Sequence, residues 1–226
     1  MTRLNRTRLL FGDTGIEKLR NSAIMVVGCG AVGSFAIEAL ARSGIGHLIV
    51  VDFDTIEESN INRQLFALDS TLGIKKVAVA KSRIHDINPD ITVDALDLFF
   101  DENSEIPTVP DFIIDAIDTV ESKIALYKWA SAHNVPIISS MGAASKTDIG
   151  QISVAPLSRT TVCPLASRVR RMVRDIGLPD IPVVYSTQTP APVSGHAKNL
   201  GSVITVTGTF GLMLANYVIS KIIQDI

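Results

Sequence analysis

Three glycines and the charged residues downstream of them carry the chemistry that can be read from this chain. Gly28, Gly30 and Gly33 are spaced G-x-G-x-x-G. At that spacing a chain turns tightly out of a strand, brings its backbone close to a phosphate and packs the next helix on the strand it has just left. Asp52 lies about twenty residues further on, where a carboxylate accepts hydrogen bonds from ribose hydroxyls. Asp54, Asn60, Arg63 and Gln64 follow, and Lys76 adds a second positive charge. Fixed cations beside a phosphate turn suit a triphosphate, because a guanidinium can grip two phosphate oxygens at once. Asp118 is a further acid, fit to hold Mg²⁺ bridging phosphate oxygens. A ribose acid, two cations and a metal-binding acid describe a nucleotidyl-transfer site, whose main task is to neutralise a leaving pyrophosphate.

Those residues need a scaffold that gathers them, and the hydrophobic pattern supplies one. Ala23–Val27 is an apolar run of strand length, residues 31–42 repeat apolar side chains at helical spacing, and the run at 48–51 ends in Asp52. Strand, glycine turn, helix, strand and acid form one βαβ unit. The pattern then predicts a helix over 72–87 stopped by Asn88-Pro89, and a strand at 91–96. A surface loop at 101–110 precedes a strand at 112–117 that leads into Asp118. A helix at 122–132 and a strand at 135–139, capped by Met141-Gly142-Ala143-Ala144, complete the alternation. Strands alternating with helices imply an α/β fold: a doubly wound, Rossmann-like, mostly parallel sheet with helices on both faces. Its ligand rim lies at the carboxyl ends of the strands, so the glycines, Asp52, Asp118 and the stretch 139–142 are expected to share it. Beyond residue 145 the pattern becomes mixed, with strands at 149–155 and Pro182–Ser186 around a helix at 164–176. The expected organisation is one domain over 1–226, with a helical arm at 1–22 broken by Gly12 and Gly15, a nucleotide-binding core at 23–145 and a C-terminal extension at 146–226.

Composition narrows the class. The chain has 226 residues, 46% of them hydrophobic, and a net charge of -2, so it builds a sizeable core and has no global attraction to nucleic acid or membrane. Two cysteines, Cys29 and Cys163, make neither a disulfide framework nor a four-cysteine zinc site, and no structural zinc is expected. The opening MTRLNRTRLLFG is charged and has no signal-peptide core, which points to the cytoplasm. Residues 199–220 hold no charge and approach the length of a membrane-spanning helix. The run also holds Asn199, Ser202, Thr205, Thr207, Thr209 and Asn216, so a helix buried against the sheet is expected and membrane association is the alternative.

The motifs GCGAVGS, DFDTIEESNINRQ, GIKKVAVA, INP and DAIDTVESK, in this order, resemble the ubiquitin-activating-enzyme-like superfamily of ThiF and MoeB type. Its bacterial members activate carboxylates by adenylation. The resemblance implies that Asp52 holds the ribose, that Asn60, Arg63, Gln64 and Lys76 line the phosphates of ATP, and that Asp118 is the metal-linked catalytic aspartate. Arg6, in the basic arm, resembles the arginine that one subunit of a homodimer lends to its partner's ATP. The paired C-x-x-C motifs usual in members that adenylate sulfur carriers do not occur. RLNRTRLLFGDTGIEKLRNS, AIDTVESKIAL, SSMGAASKTD, PLSRTTVCPLASRVRR and VVYSTQTP are instead similar to the family of tRNA threonylcarbamoyladenosine dehydratases. That likeness implies ATP-dependent activation of a threonyl carboxylate on a modified tRNA adenosine. An internal nitrogen or oxygen then closes a ring with net loss of water. ATP with Mg²⁺, a tRNA and a second copy of the chain are the implied partners, and a sulfur-relay protein is a further one left open. The nearest alternative is activation of the C-terminal glycine of a ubiquitin-like sulfur carrier. An NAD-dependent oxidoreductase is disfavoured by Arg63, Lys76 and Asp118, and an inactive nucleotide-binding scaffold by the filled polar positions.

A tRNA needs a local basic surface. Arg159, Arg168, Arg170, Arg171 and Arg174 place five cations within sixteen residues. Arg168, Arg171 and Arg174 are spaced to share one helix face, where they would grip phosphate, against the plainer reading of a solvated amphipathic helix. Lys146 and Lys198 are secondary candidates for this surface. Cys163 opens the predicted helix, a position that lowers a thiol pKa, but no base adjoins it in sequence and it is expected to be a small helix-start residue. The four histidines, His196 among them, show no ligand spacing.

Overall fold

The computed structural model describes residues 3–191 and 200–224. Its strands are short apolar runs whose alternate side chains are buried on opposite faces. They are β1 (Ala23–Val27), β2 (His47–Asp52), β3 (Thr92–Asp97), β4 (Phe112–Asp115), β5 (Ile137–Ser140), β6 (Ile152–Pro156) and β7 (Pro182–Ser186). They form one sheet in the order β3-β2-β1-β4-β5-β7-β6. All neighbours are parallel except β6 and β7, which are antiparallel. Ile24, Val26, Leu48, Val50 and Ile114 point to one face, and Met25, Val27, Ile49, Val51 and Ile113 to the other. Runs buried on both faces are what a parallel sheet covered by helices requires. The first face is covered by α1 (Asn5–Arg20), α2 (Gly33–Ser43), α3 (Lys76–Ile87) and α6 (Ile204–Ile223). The second is covered by α4 (Val120–Ala132) and α5 (Pro164–Asp175). The sheet is continuous past residue 145, since β5 pairs directly with β7.

Several elements differ from the sequence pattern. Strand β6 begins at Ile152 and not at residue 149, because residues 149–151 form a tight turn in which the Asp148 carboxylate accepts the Gly150 N–H at 2.8 Å. Helix α4 begins at Val120, two residues early. Three further differences each have a local physical reason. Helix α1 kinks at Gly12, where φ is +71°, but runs on through Gly15. Strand β4 stops at Asp115 and not at residue 117, because the Asp115 carboxylate accepts the Ile117 N–H at 3.0 Å and closes a turn. Helix α3 begins at Lys76, four residues late. Residues 73–75 are used instead to dock the preceding loop: Ile56 N–H donates to the Ile74 carbonyl, Gly73 N–H to Ile56, and Thr55 bridges Lys75.

Helix α6 is long and apolar enough to cross a membrane, yet half of its most apolar window is buried in the fold. Val206, Phe210, Leu214 and Val218 are fully buried, each contributing about 1.5–3 kcal/mol by leaving water. Its glycines set how closely it approaches α2. A Cβ on Gly211 would stand 2.2 Å from the Val32 carbonyl oxygen, and one on Gly208 would stand 3.2 Å from the Phe35 ring. The C-terminal helix therefore braces α2 from behind, at the end where α2 meets the glycine turn.

Candidate active site

The strand order reverses between β1 and β4, and a crevice of about 590 Å³ opens there at the carboxyl ends of the strands. This is the switch point at which doubly wound sheets hold ligands. Gly28, Gly30, Asp52, Asp54, Asn60, Arg63, Gln64, Lys76 and Asp118 all line it. Gly33 does not. It opens α2, and a Cβ there would fall 1.7 Å from the Gly28 carbonyl oxygen, so this glycine lets helix and turn touch. Gly28 has φ +99° and no room for a Cβ beside the Ala116 carbonyl at 2.6 Å. At Gly30 a Cβ would meet only Gln64 Nε2 at 3.8 Å. The protein itself leaves this position open, as close approach of a ligand to the backbone requires.

Asp52 ties the glycine turn to the second strand. Its Oδ2 accepts the Cys29 N–H at 2.6 Å and its Oδ1 the Asp54 N–H at 2.9 Å. Each oxygen keeps a second lone pair, so the carboxylate can still accept from two hydroxyls. Lys76 is buried and its Nζ lies 2.7 Å from Asp54 Oδ2, with two ammonium protons left to give. Arg63 donates through Nη1 to the Ser59 carbonyl and to Asn62 Oδ1, both at 2.7 Å, leaving Nη2 and Nε. Asn60 Oδ1 accepts the Glu57 N–H at 3.2 Å and so shapes the loop that carries Arg63 and Gln64. Cys29 is buried inside this turn, and desolvation together with the nearby Asp52 charge pushes its thiol pKa well up, so it stays protonated.

The opposite wall is β4, its turn, and the start of α4. Asp118 is exposed at the rim and accepts the Thr119 hydroxyl at 3.4 Å. Below it lies a group that the sequence pattern did not single out. Asp115 and Lys123 are both fully buried, with Lys123 Nζ 2.8 Å from Asp115 Oδ2 and 2.8 Å from the Ser140 carbonyl. Tyr127 Oη lies within hydrogen-bond distance of both Ser139 Oγ, at 2.6 Å, and Asp115 Oδ2, at 3.0 Å. Burial, then the Asp115 charge, raises the Tyr127 pKa well above its ordinary value. This dry network locks the ends of β4 and β5, which present Asp118 and Ser140–Gly142 to the crevice. The signal was present: an acid ending an apolar strand, with a lysine eight residues on inside an apolar helix stretch.

Among the described residues no cluster of three or more His, Cys, Asp or Glu side chains is gathered around a metal position. Asp118 offers one carboxylate, which suits a Mg²⁺ that takes its other ligands from phosphates and water.

The remaining sequence candidates lie elsewhere. Arg6 is exposed on α1 and does not line the crevice of its own chain. Arg168, Arg171 and Arg174 are exposed on α5, whose other face buries Ala166, Val169 and Val173. Arg168 pairs with Glu121 at 2.9 Å and Arg174 with Asp175 at 3.1 Å. Arg170 is half-buried, and its Nη1 donates to the Thr160 and Leu157 carbonyls. Lys146 is not a surface residue. It is buried, it donates to the Gln188 carbonyl, and desolvation lowers its pKa. Lys198, His196 and Asn199 lie outside the described residues. Cys163 is buried as the N-cap of α5, its Sγ accepting the Ala166 N–H at 3.5 Å.

A doubly wound sheet with a glycine turn, a ribose-type acid and cations at its switch point defines a nucleotide-binding α/β protein. More narrowly, the chain belongs to the ThiF family, which it matches over residues 4–225. It is 39% identical to the tRNA threonylcarbamoyladenosine dehydratase of Bacillus subtilis (strain 168), covering 98% of this chain and 95% of that protein. It superposes on the crystal structure of E. coli tRNA N6-threonylcarbamoyladenosine dehydratase in complex with ATP with a TM-score of 0.91. That match is 32% identical and covers 98% of this chain and 94% of the other. The molybdopterin-synthase adenylyltransferase of Haemophilus influenzae is 37% identical, but over only 62% of this chain and 57% of its own length.

Proposed function

We propose that this protein is an ATP-dependent tRNA-modifying enzyme that adenylates the carboxylate of threonylcarbamoyladenosine and closes it into a ring with net loss of water. The observation that carries the reading is the near end-to-end likeness to dehydratases of that name, one of them solved with ATP, in a chain whose crevice gathers Asp52, Arg63, Lys76 and Asp118. The sulfur-carrier alternative is weaker because its relatives match only part of the chain.

In this reading Asp52 accepts from the ribose hydroxyls, and the Gly28–Gly30 turn with the N-terminus of α2 faces the phosphates. Arg63 and Lys76, with Asn60 and Gln64 beside them, neutralise the pyrophosphate as it leaves. Asp118 would hold Mg²⁺, which would offset charge on the phosphate oxygens. Arg6 reaches the neighbouring subunit's phosphates in a homodimer, as its place on an arm outside the nucleotide core suggests. Arg168, Arg171 and Arg174 meet the tRNA backbone. The chain then works as one adenylating domain, with 1–22 as the arm, 23–145 as the nucleotide core and 146–226 as the substrate side. Its setting is the cytoplasm, where tRNA and ATP are at hand, and a sulfur-relay protein remains a candidate partner. Incubation with Mg-ATP and tRNA bearing threonylcarbamoyladenosine tests the reading. Ring-closed nucleoside is the expected product, and unchanged nucleoside refutes it.

A further inference from the structure

The β4 wall of the crevice contains donors from which none of the described residues accepts. Asp118, Thr119 and Ser122 line it, and α4 starts there at Val120. Lys123 N–H is the first to reach back into the turn, donating to the Thr119 carbonyl at 3.1 Å. The N–H groups of Val120, Glu121 and Ser122 therefore have no acceptor within the helix, and the Thr119 side chain does not cap them. A second observation is independent of helix geometry. Ser122 is only 3% exposed, and its hydroxyl has no hydrogen-bond partner among the described residues. It is the one buried side-chain nitrogen or oxygen among them in that condition. A buried hydroxyl left without a partner destabilises the fold by its unrecovered desolvation. Alanine, a better helix former, would avoid the cost, so the hydroxyl is best explained by a ligand atom that completes it.

We propose that the first turn of α4, with Ser122 at its centre, is the subsite that holds the acyl oxygen of the carboxylate being activated. This deepens the adenylation reading and rests on it. Charge decides between a phosphate and an acyl occupant. The cations lining the crevice, Arg63 and Lys76, both follow β2, whereas the group beside the α4 turn is the Asp118 carboxylate. A polyphosphate seated on the α4 turn itself would meet no lining cation there among the described residues, and Asp118 would approach phosphate only through its Mg²⁺. A carboxylate carries a single charge, loses it on adenylation, and then presents a carbonyl oxygen suited to neutral donors such as a hydroxyl and backbone N–H groups.

The same donors serve both steps. First, one carboxylate oxygen bonds to the α-phosphorus while the bond from that phosphorus to the bridging oxygen breaks, and pyrophosphate leaves with the electron pair. The substrate's own nitrogen or oxygen then adds to the acyl carbon, and negative charge builds on the oxygen held by Ser122. The bond from carbon to the AMP oxygen breaks, AMP leaves, and the nucleophile's proton passes to solvent. Donors fixed at the site of that charge lower the barrier, and removing one from such a hole costs about 10²–10³-fold in rate.

Ser122→Ala removes the unpartnered hydroxyl and leaves the helix intact, so it tests the assignment cleanly. The measurements are single-turnover conversion of tRNA bearing threonylcarbamoyladenosine with saturating Mg-ATP, calorimetric ATP affinity, and Tm. The expected result is conversion slowed by about 100-fold or more, with ATP affinity within about twofold of wild type and Tm unchanged or higher. Conversion at the wild-type rate overturns the assignment. So does an ATP affinity that falls as much as the rate, since the hydroxyl would then serve the nucleotide. Wild-type protein that binds ATP and leaves the tRNA unchanged overturns the functional reading first, and the subsite with it.

Discussion

On the β2 side of the crevice the charged groups already have partners. Asp52 holds two backbone N–H groups, Lys76 sits 2.7 Å from Asp54, and Arg63 grips its own loop. On the β4 side Asp118 has only a long bond from Thr119 and the Ser122 hydroxyl has no partner among the described residues. Both sides are rigid, but by different means. The β2 wall is braced within its own surface, at the level of the ligand. The β4 wall is braced from beneath, by the dry Asp115–Lys123–Tyr127–Ser139 network. A wall whose polar groups are satisfied suits a ligand that arrives identical at every turnover, as ATP does. A wall that leaves neutral donors open is finished by the second substrate, whose charge changes during the reaction.

That contrast is broken most forcefully from below. Lys123→Met leaves Asp115 buried and unpaired, which costs about 3–5 kcal/mol and lowers Tm by on the order of 10 °C in a chain of this size. Thermal denaturation reads it, and replacing Asp115 by Asn in the same chain should recover part of the loss. A Tm within about 2 °C of wild type would mean that the network does not brace this wall.

Removing the exposed acid of the same wall should do the reverse. Asp118→Ala is expected to leave Tm nearly unchanged, as surface substitutions do, and to lower turnover about 100-fold or more with little loss of ATP affinity. The variant also tests Arg6. Mixed and re-equilibrated with an inactive Arg6→Ala protein, it should form half mixed dimers with one intact site of two. About a quarter of wild-type activity would then return if the sites are independent. Confirmed subunit exchange with no recovery would mean that Arg6 acts within its own subunit or that the two sites are obligatorily coupled. The smallest effect lies outside both walls. Replacing Arg168, Arg171 and Arg174 by Ala should weaken tRNA binding and reduce its salt slope by about one to two, leaving ATP affinity alone. The loss is held below the full three cations because two of the arginines already pair with Glu121 and Asp175. An unchanged slope would make α5 a solvated face.

The β2 wall was legible in the sequence because its chemistry is local. Gly28 to Asp52 is one βαβ unit, and the strand and helix periods around it are clean, so Ala23–Val27 was read to the residue. The β4 wall was only half legible. Asp118 was found by its place after an apolar run, but the run was carried two residues too far. The acid inside it, Asp115, ends the strand by bonding Ile117 N–H and pairing with a lysine brought in by tertiary packing. Ser122 could not be singled out from sequence, since a serine near a helix start is ordinary until its neighbours are known. The late start of α3 has the same origin. Hydrogen bonds from Ile56 and Gly73 across the loop outweigh a helical pattern that begins at residue 72.

If the two walls meet around one carboxylate on tRNA, nucleoside mass spectrometry will show it. Purified protein, Mg-ATP and tRNA bearing threonylcarbamoyladenosine should yield, after digestion, an adenosine derivative lighter by one water, with AMP and pyrophosphate released in equal amounts. Both products should disappear when ATP is omitted. Nucleoside of unchanged mass, under conditions where the protein binds ATP, would contradict the account.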